Sequence, residues 1–371
     1  MNHLRFKLYL VLSMAGVFFV TAAEPAGKIL SVGAFGAVGD GATDDSDAIA
    51  RTISASLPGD TILFPPGTYK LNKRVVLSSG RTYSGQPDAI VRSPYNDFAF
   101  ATPYDNTRDI SITGVVLENG GLLLDGSAVP AANISITNCT FQNILSSSDN
   151  WTSHNAIFIP SGLIGGVISN NSFRNIFEAG KIDAVDRNAA GIQGWDISET
   201  SIADNTFDTV NQGVSIKFAG AGPYTGVVIA RNTGVRVHRM GIEVQGANTE
   251  GLLIESNTFS GFLQPFWNTY GLSIVPDGGW NTIIRGNVLV GYPATVIRYG
   301  YGIEASGHGT SVTDNHIQGL FSAGIAVGAS DNIVVVNNYL CGSPGTRQIV
   351  FESGPHAGAV IAPNTSESEC K

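Results

Sequence analysis

From about residue 110 onward one short pattern recurs: Ile or Val, then Asn three places later, then in most copies an apolar residue two places beyond. It reads ISNNSF at Asn171, IADNTF at Asn205, IARNTG at Asn232, IESNTF at Asn257, IRGNVL at Asn287, VTDNHI at Asn315, VVNNYL at Asn338 and IAPNTS at Asn364. Two earlier copies, ITNCTF and ITGVVL, put Cys139 and Val115 where the Asn would stand. The Asn spacings are 34, 27, 25, 30, 28, 23 and 26 residues, so the period varies while the motif holds. Between most copies lies a Gly followed by alternating apolar residues: GIQGW, GVSIKF, GIEVQG, GLSIVP, GIEASG and GIAVG. Alternation in short β-branched runs bounded by Gly and Asn predicts strands, and strands repeating at this interval predict a solenoid. Asn suits a sharp turn because it tolerates a left-handed backbone, and stacked Asn side chains can hydrogen-bond from coil to coil.

Upstream of the repeats, FGAVGDGATDDSDAIARTI (residues 35–53) and GDTILFPPGTYKL (59–71) complete a second signature. Together with the repeats, it resembles the right-handed parallel β-helix proteins of the pectate lyase superfamily. The resemblance covers nearly all of the chain after residue 23. It implies an all-β, single-stranded right-handed parallel β-helix of about ten coils with a short N-terminal capping helix. Lyases, hydrolases, epimerases and phage tailspikes share that fold, so the reaction is left open. The acidic cluster at 40–47 reads as architecture. Asp44 or Asp45 precedes the apolar spacing Ala48, Ile49, Ile53 as an N-cap, and a helix from about Ser46 to Ser56 would cover the open end of the solenoid.

The N-terminus carries Arg5 and Lys7, the apolar run LYLVLSMAGVFFV and then Thr21, Ala22 and Ala23. This predicts a signal peptide over residues 1–23, a secreted protein, and no membrane span once the peptide is removed. One domain follows at 24–371, with the cap and first strands at 24–71 and the Asn repeats at 110–364. Of 21 basic residues two fall in the leader, which leaves 19 against 30 acidic ones and a net charge of −11. That argues against nucleic acid as a partner, and any anionic ligand must be met by a local basic patch. Three cysteines are too few for a disulfide framework; Cys341 and Cys370 can pair, leaving Cys139 over. Monomer and homotrimer are both open.

The resemblance implies that the Gly-led strands floor a substrate cleft. Alternation then presents one outward column two places after each Gly: Gln193, Ser215, Glu243, Ser273, Glu304, Ala326. A second column lies four places after: Trp195, Lys217, Gln245, Val275, Ser306, Gly328. The segments before Gly213 and Gly241 are short, predicting two low coils between higher walls. Ser215, Lys217, Glu243 and Gln245 form their floor. His238 and Arg239 would lie on a short loop at its lip, Asp183, Asp186 and Arg187 in one wall, Trp267 and Tyr270 in the other. Trp195, Trp267 and Tyr270 offer faces on which sugar rings stack.

This groove suits a polysaccharide. For β-elimination in a uronate-containing chain, the leading reading, Lys217 or His238 would be the base and Arg239 or Arg187 the neutralising cation. A calcium site would have to be assembled from Asp183, Asp186 and Glu243, and no other cofactor is called for. For hydrolysis, Glu243 would pair with Glu304, two rungs or about 9.6 Å away, or with an Asp of the 183–186 wall. Epimerisation is disfavoured because the Asp-Pro-His-Glu motif of alginate epimerases is absent. A binding solenoid without turnover is the reading from another class. An exposed Glu243–Lys217 ion pair would be the plain structural role for both.

Overall fold

The computed structural model describes residues 27–93, 97–125, 129–145, 154–177, 189–246, 248–262, 279–291, 300–319 and 321–370, and the backbone of 270–275. The predicted leader and the wall residues Asp183, Asp186, Arg187 and Trp267 lie outside the described residues, as does the Tyr270 side chain.

The chain coils as a right-handed parallel β-solenoid of about 11 turns, with one α-helix among the described residues. Among the described residues its strands form a 15-stranded and a 23-stranded sheet, with one small two-stranded pair beside them. The first sheet is made by the strands that lead into the Asn turns. Ile136, Ile168, Ile202, Ile229, Ile254, Ile284 and Val312 stand in register there, one per coil, all fully buried. After the Asn turn a second internal stack is aromatic: Phe141 on Phe173 at 5.0 Å and Phe173 on Phe207 at 4.8 Å, nearly parallel. The motif's apolar positions are thus the core of a structure whose every coil buries its faces on its neighbours.

The Asn residues form a continuous ladder. From Asn171 to Asn364, each Nδ2 donates to the next Oδ1 at 2.9–3.0 Å, and each Oδ1 also accepts the preceding Asn's backbone N–H. Cys139 occupies the ladder's first position and donates its N–H to Asn171 Oδ1. One detail corrects the sequence reading: the left-handed residue is the one before the ladder Asn. Asn170, Asp204, Arg231, Ser256, Gly286, Asp314 and Asn337 carry the positive φ. The turn needs one residue to reverse the chain and the next to point inward, so the two roles fall on different positions.

Gly at the head of the floor strands answers close approach. A Cβ on Gly191 would stand 2.5 Å from the Phe207 ring, and one on Gly213 would stand 2.5 Å from the Gly241 carbonyl.

At the N-terminal end, helix α1 (Ser46–Ala55) buries Ala48, Ile49, Thr52 and Ile53 over the first coil. The two aspartates divide the expected capping role. Asp44 Oδ1 accepts from Ser46 N–H at the helix start and from Asn72 N–H. Asp45, fully buried, turns the other way and accepts from Val38 N–H and Gly39 N–H at 2.6 and 3.1 Å. Asp45→Ala would strand both N–H groups and is expected to lower stability by about 2 kcal/mol in denaturant titration. An unchanged midpoint would show that the 36–44 segment is held by other contacts.

Cys341 and Cys370 form a disulfide, with Cα atoms 5.1 Å apart. Cys139 is free and buried, and burial pushes its thiol up to about 11, so it is unreactive. Among the described residues no helix is long and apolar enough to cross a membrane.

Candidate functional site

Seven strands carry the floor: β1 (Ala190–Trp195), β2 (Thr206–Phe218), β3 (Thr233–Gly246), β4 (Tyr270–Val275), β5 (Tyr301–His308), β6 (Ala323–Asp331) and β7 (Ile349–Phe351). Their register is the one that alternation predicts. Gln193 pairs with Ser215, Ser215 with Glu243, Glu243 with Ser273, Ser273 with Glu304, Glu304 with Ala326 and Ala326 with Val350. In the second column Trp195 pairs with Lys217, Lys217 with Gln245 and Gln245 with Val275.

Glu243 is the best-held group of the floor. Ser215 Oγ donates to its Oε2 at 2.7 Å and Gln245 Nε2 to its Oε1 at 2.7 Å, so both carboxylate oxygens are fixed and the side chain is 4 % exposed. These contacts replace the ion pair with Lys217 that an exposed floor would allow. Lys217 is half-buried and makes no ion pair among the described residues. Beside it the half-buried Trp195 sets its ring edge to face with Phe158, 5.3 Å between centroids. Gln193 is buried with its Oε1 unpartnered, and so is Asn211, for both amide atoms. Unpartnered buried amides are uncommon and mark where a polar ligand would find donors and acceptors.

The short segments read as low loops are strand. β2 and β3 each run without a break from the Asn turn through the floor. Between Val210–Val237 and Gln212–Met240, one residue on β2 faces two on β3. This irregularity changes the facing of the residues within it. His238 is consequently no lip residue: it is 6 % exposed and its ring meets Phe177 at 4.9 Å. Arg239 beside it is half-buried.

Two rungs from Glu243, Glu304 forms a carboxyl pair that the sequence did not reveal. Glu304 is hydrogen-bonded to Glu352, which follows β7 and is placed by its own N–H donating to Val327 O at 2.9 Å. Burial, and then the Glu352 charge and that hydrogen bond, push the Glu304 carboxyl up to about 7. The column therefore holds a carboxylate fixed by two donors and, about 9.6 Å along it, a carboxyl that keeps its proton near neutrality. Among the described residues no three His, Cys, Asp or Glu side chains converge as a metal site. Asp183 and Asp186 lie outside them.

The family model described as rhamnogalacturonase A/epimerase, pectate lyase-like, matches residues 29–261. The chain belongs to that family. This rhamnogalacturonase A/epimerase-type chain is also 30 % identical over 148 residues to the plasmin and fibronectin-binding protein A of Streptococcus pneumoniae; the match takes in 35 % of the chain and only 20 % of that protein's length. Among solved structures, the S. pneumoniae surface adhesin PfbA superposes with a TM-score of 0.66 at 18 % identity over 92 % of this chain and 91 % of its own. The Yersinia enterocolitica family 28 exopolygalacturonase gives 0.60 at 16 % identity, over 92 % and 77 %. The DFA-IIIase of Arthrobacter chlorophenolicus gives 0.57 at 14 %, over 92 % and 88 %. At these identities the likeness is one of fold, and it joins enzymes with an adhesin.

Proposed function

We propose that this protein is a glycoside hydrolase acting on an acidic, uronate-containing polysaccharide, with Glu304 as general acid and Glu243 as general base. The observation that carries the reading is the Glu243–Ser273–Glu304 column, which sets Glu243, held by two hydrogen-bond donors, and the Glu304 carboxyl, pushed up to about 7, on one face of one sheet. Two rungs, about 9.6 Å, lie close to the upper end of the separation that leaves room for a water in an inverting pair. Glu304 gives its proton to the glycosidic oxygen as the bond to the anomeric carbon breaks. A water attacks from the opposite face and passes its proton to Glu243. Lys217 stands one rung from Gln245 and beside Trp195, where a uronate carboxylate and a sugar face can be met together.

Elimination, the leading reading from sequence, loses one of its two candidate bases because His238 is packed against Phe177, and keeps Lys217 as the other. A binding role without turnover is favoured by one observation, the sequence and fold likeness to the S. pneumoniae binding protein and adhesin. One assay separates the three. Polygalacturonate, rhamnogalacturonan and neutral glycans are incubated with the protein, and reducing ends, ultraviolet absorbance and the anomeric proton signals are followed. Reducing ends of inverted configuration without an unsaturated product are expected. Absorbance rising with reducing ends would assign elimination, and retention of a polysaccharide on the protein without either signal would assign binding.

A further inference from the structure

A cavity of about 500 Å³ lies beyond the exit of the floor strands, lined by Ala221, Pro223, Asn248, Glu250, Trp280 and Asn281. Its volume is in the range of small-ligand sites. Trp280 is 46 % exposed, yet its backbone is fixed in the coil: its N–H donates to Thr249 O and its carbonyl accepts from Gly251 N–H. It bridges Glu250 on one neighbouring coil and His308 on the other. On the His308 side the rings stack, with centroids 5.7 Å apart and planes 19° apart, and His308 Nδ1 is held by Asp331 Oδ2 at 3.1 Å. The opposite face of the indole is therefore the one turned toward Glu250 and the cavity.

The polar groups around that face have hydrogen-bonding capacity to spare. Asn248 Nδ2 donates to Gly220 O at 2.8 Å, which fixes the amide and leaves Oδ1 as an acceptor. Glu250 has no hydrogen bond or ion pair through its side chain among the described residues, and neither does the Asn281 amide. Among the described residues no lysine or arginine lines the cavity. A rigid aromatic face ringed by a carboxylate and two amides matches a pyranose ring, whose C–H face packs on the indole while adjacent hydroxyls donate to Glu250 and Asn248. A carboxylate-bearing sugar would meet Glu250 with like charge and no cation to offset it.

We propose that the Trp280 cavity is a second saccharide-binding site, selective for a neutral sugar residue and separate from the Glu243–Glu304 column. It stands whether or not the column turns over substrate. The test uses the intact protein and neutral gluco-, galacto- and xylo-oligosaccharides, with oligogalacturonate as the charged comparator. Binding is read by calorimetry and by the indole N–H resonance of Trp280, assigned through its loss in Trp280→Ala. At least one neutral oligosaccharide is expected to shift that resonance, to bind more than tenfold more weakly to Trp280→Ala, and to retain most affinity for Trp280→Phe. Glu250→Lys is expected to lose the neutral ligand and gain oligogalacturonate. Cleavage by the column should be unchanged in Trp280→Ala on short substrates if the column is catalytic, and this arm bears only on the separateness of the two sites. A resonance unmoved by every neutral oligosaccharide at millimolar concentration, affinity equal in wild type and Trp280→Ala, or preference of the wild type for oligogalacturonate would each overturn the proposal. Thermal midpoints of the variants within the wild-type range exclude unfolding as the cause of a loss.

Discussion

Glu304→Gln is expected to reduce turnover by about 10²–10⁴-fold with little change in KM, because it removes the proton delivered to the leaving oxygen while keeping the side chain's shape. The same substitution should change how stability depends on pH. The Glu304 carboxyl sits at about 7 in the folded protein against an ordinary value near 4.5. Its folded-state pKa is raised, so between those values the folded chain binds more protons than the unfolded one. The stabilisation it confers is fully present below about pH 4.5 and disappears as pH rises through about 7. Wild-type midpoints should fall across that window, and Glu304→Gln should flatten the fall. Activity should follow the same proton, with a basic limb of kcat/KM near pH 7. Glu352→Gln removes the neighbouring charge but leaves the burial that is the larger cause, so the limb should move to lower pH without reaching the ordinary carboxyl range. A limb unmoved in Glu352→Gln, or near-wild-type turnover by Glu304→Gln, would remove Glu304 from the mechanism.

The floor was legible because its two periodicities are independent of what surrounds them. Once a Gly starts a strand, parity alone puts residues two and four places on along one face, and Gln193, Ser215, Glu243 and Glu304 align coil after coil as that rule requires. Parity fails at an irregularity. The stretch VRVHRMG has the length of a short loop, yet Val235 and Val237 continue the strand, and the mismatch with β2 turns His238 into the Phe177 contact. Spacing in one coil cannot disclose a mismatch that exists only against the neighbouring coil. Glu352 was illegible for a related reason. It belongs to a coil with no Gly-led motif, and its relation to Glu304 is made across two rungs, where no sequence pattern connects them. The Asn ladder was read correctly as a hydrogen-bonded column, but its turn chemistry was assigned one position late, since both residues of each turn are polar in most copies.

The largest structural effect is expected at the middle of that ladder. Asn257 Oδ1 accepts from both the backbone N–H and the side-chain amide of Asn232, and its Nδ2 donates to Ile229 O at 2.9 Å and to Asn287 Oδ1 at 3.0 Å. All four ladder Asn residues from 205 to 287 are fully buried, so no water replaces what a substitution removes. Asn257→Ala leaves the Asn232 N–H, one Asn232 amide hydrogen and the Ile229 carbonyl without these partners. At about 1–3 kcal/mol for each of these three stranded groups, the loss is on the order of 3–9 kcal/mol, comparable with the whole stability of many domains. Asn257→Asp keeps the acceptor but loses the donor and faces Asn287 Oδ1 with negative charge, so it should be no milder. Asn364→Ala, at the half-buried end of the ladder with no further Asn to accept its amide, should be the mildest of the series. Urea titration of the three variants against wild type measures the order. Equal, small effects at Asn257 and Asn364 would mean that apolar stacking alone holds the coils, and that the ladder records the geometry of the turn without stabilising it.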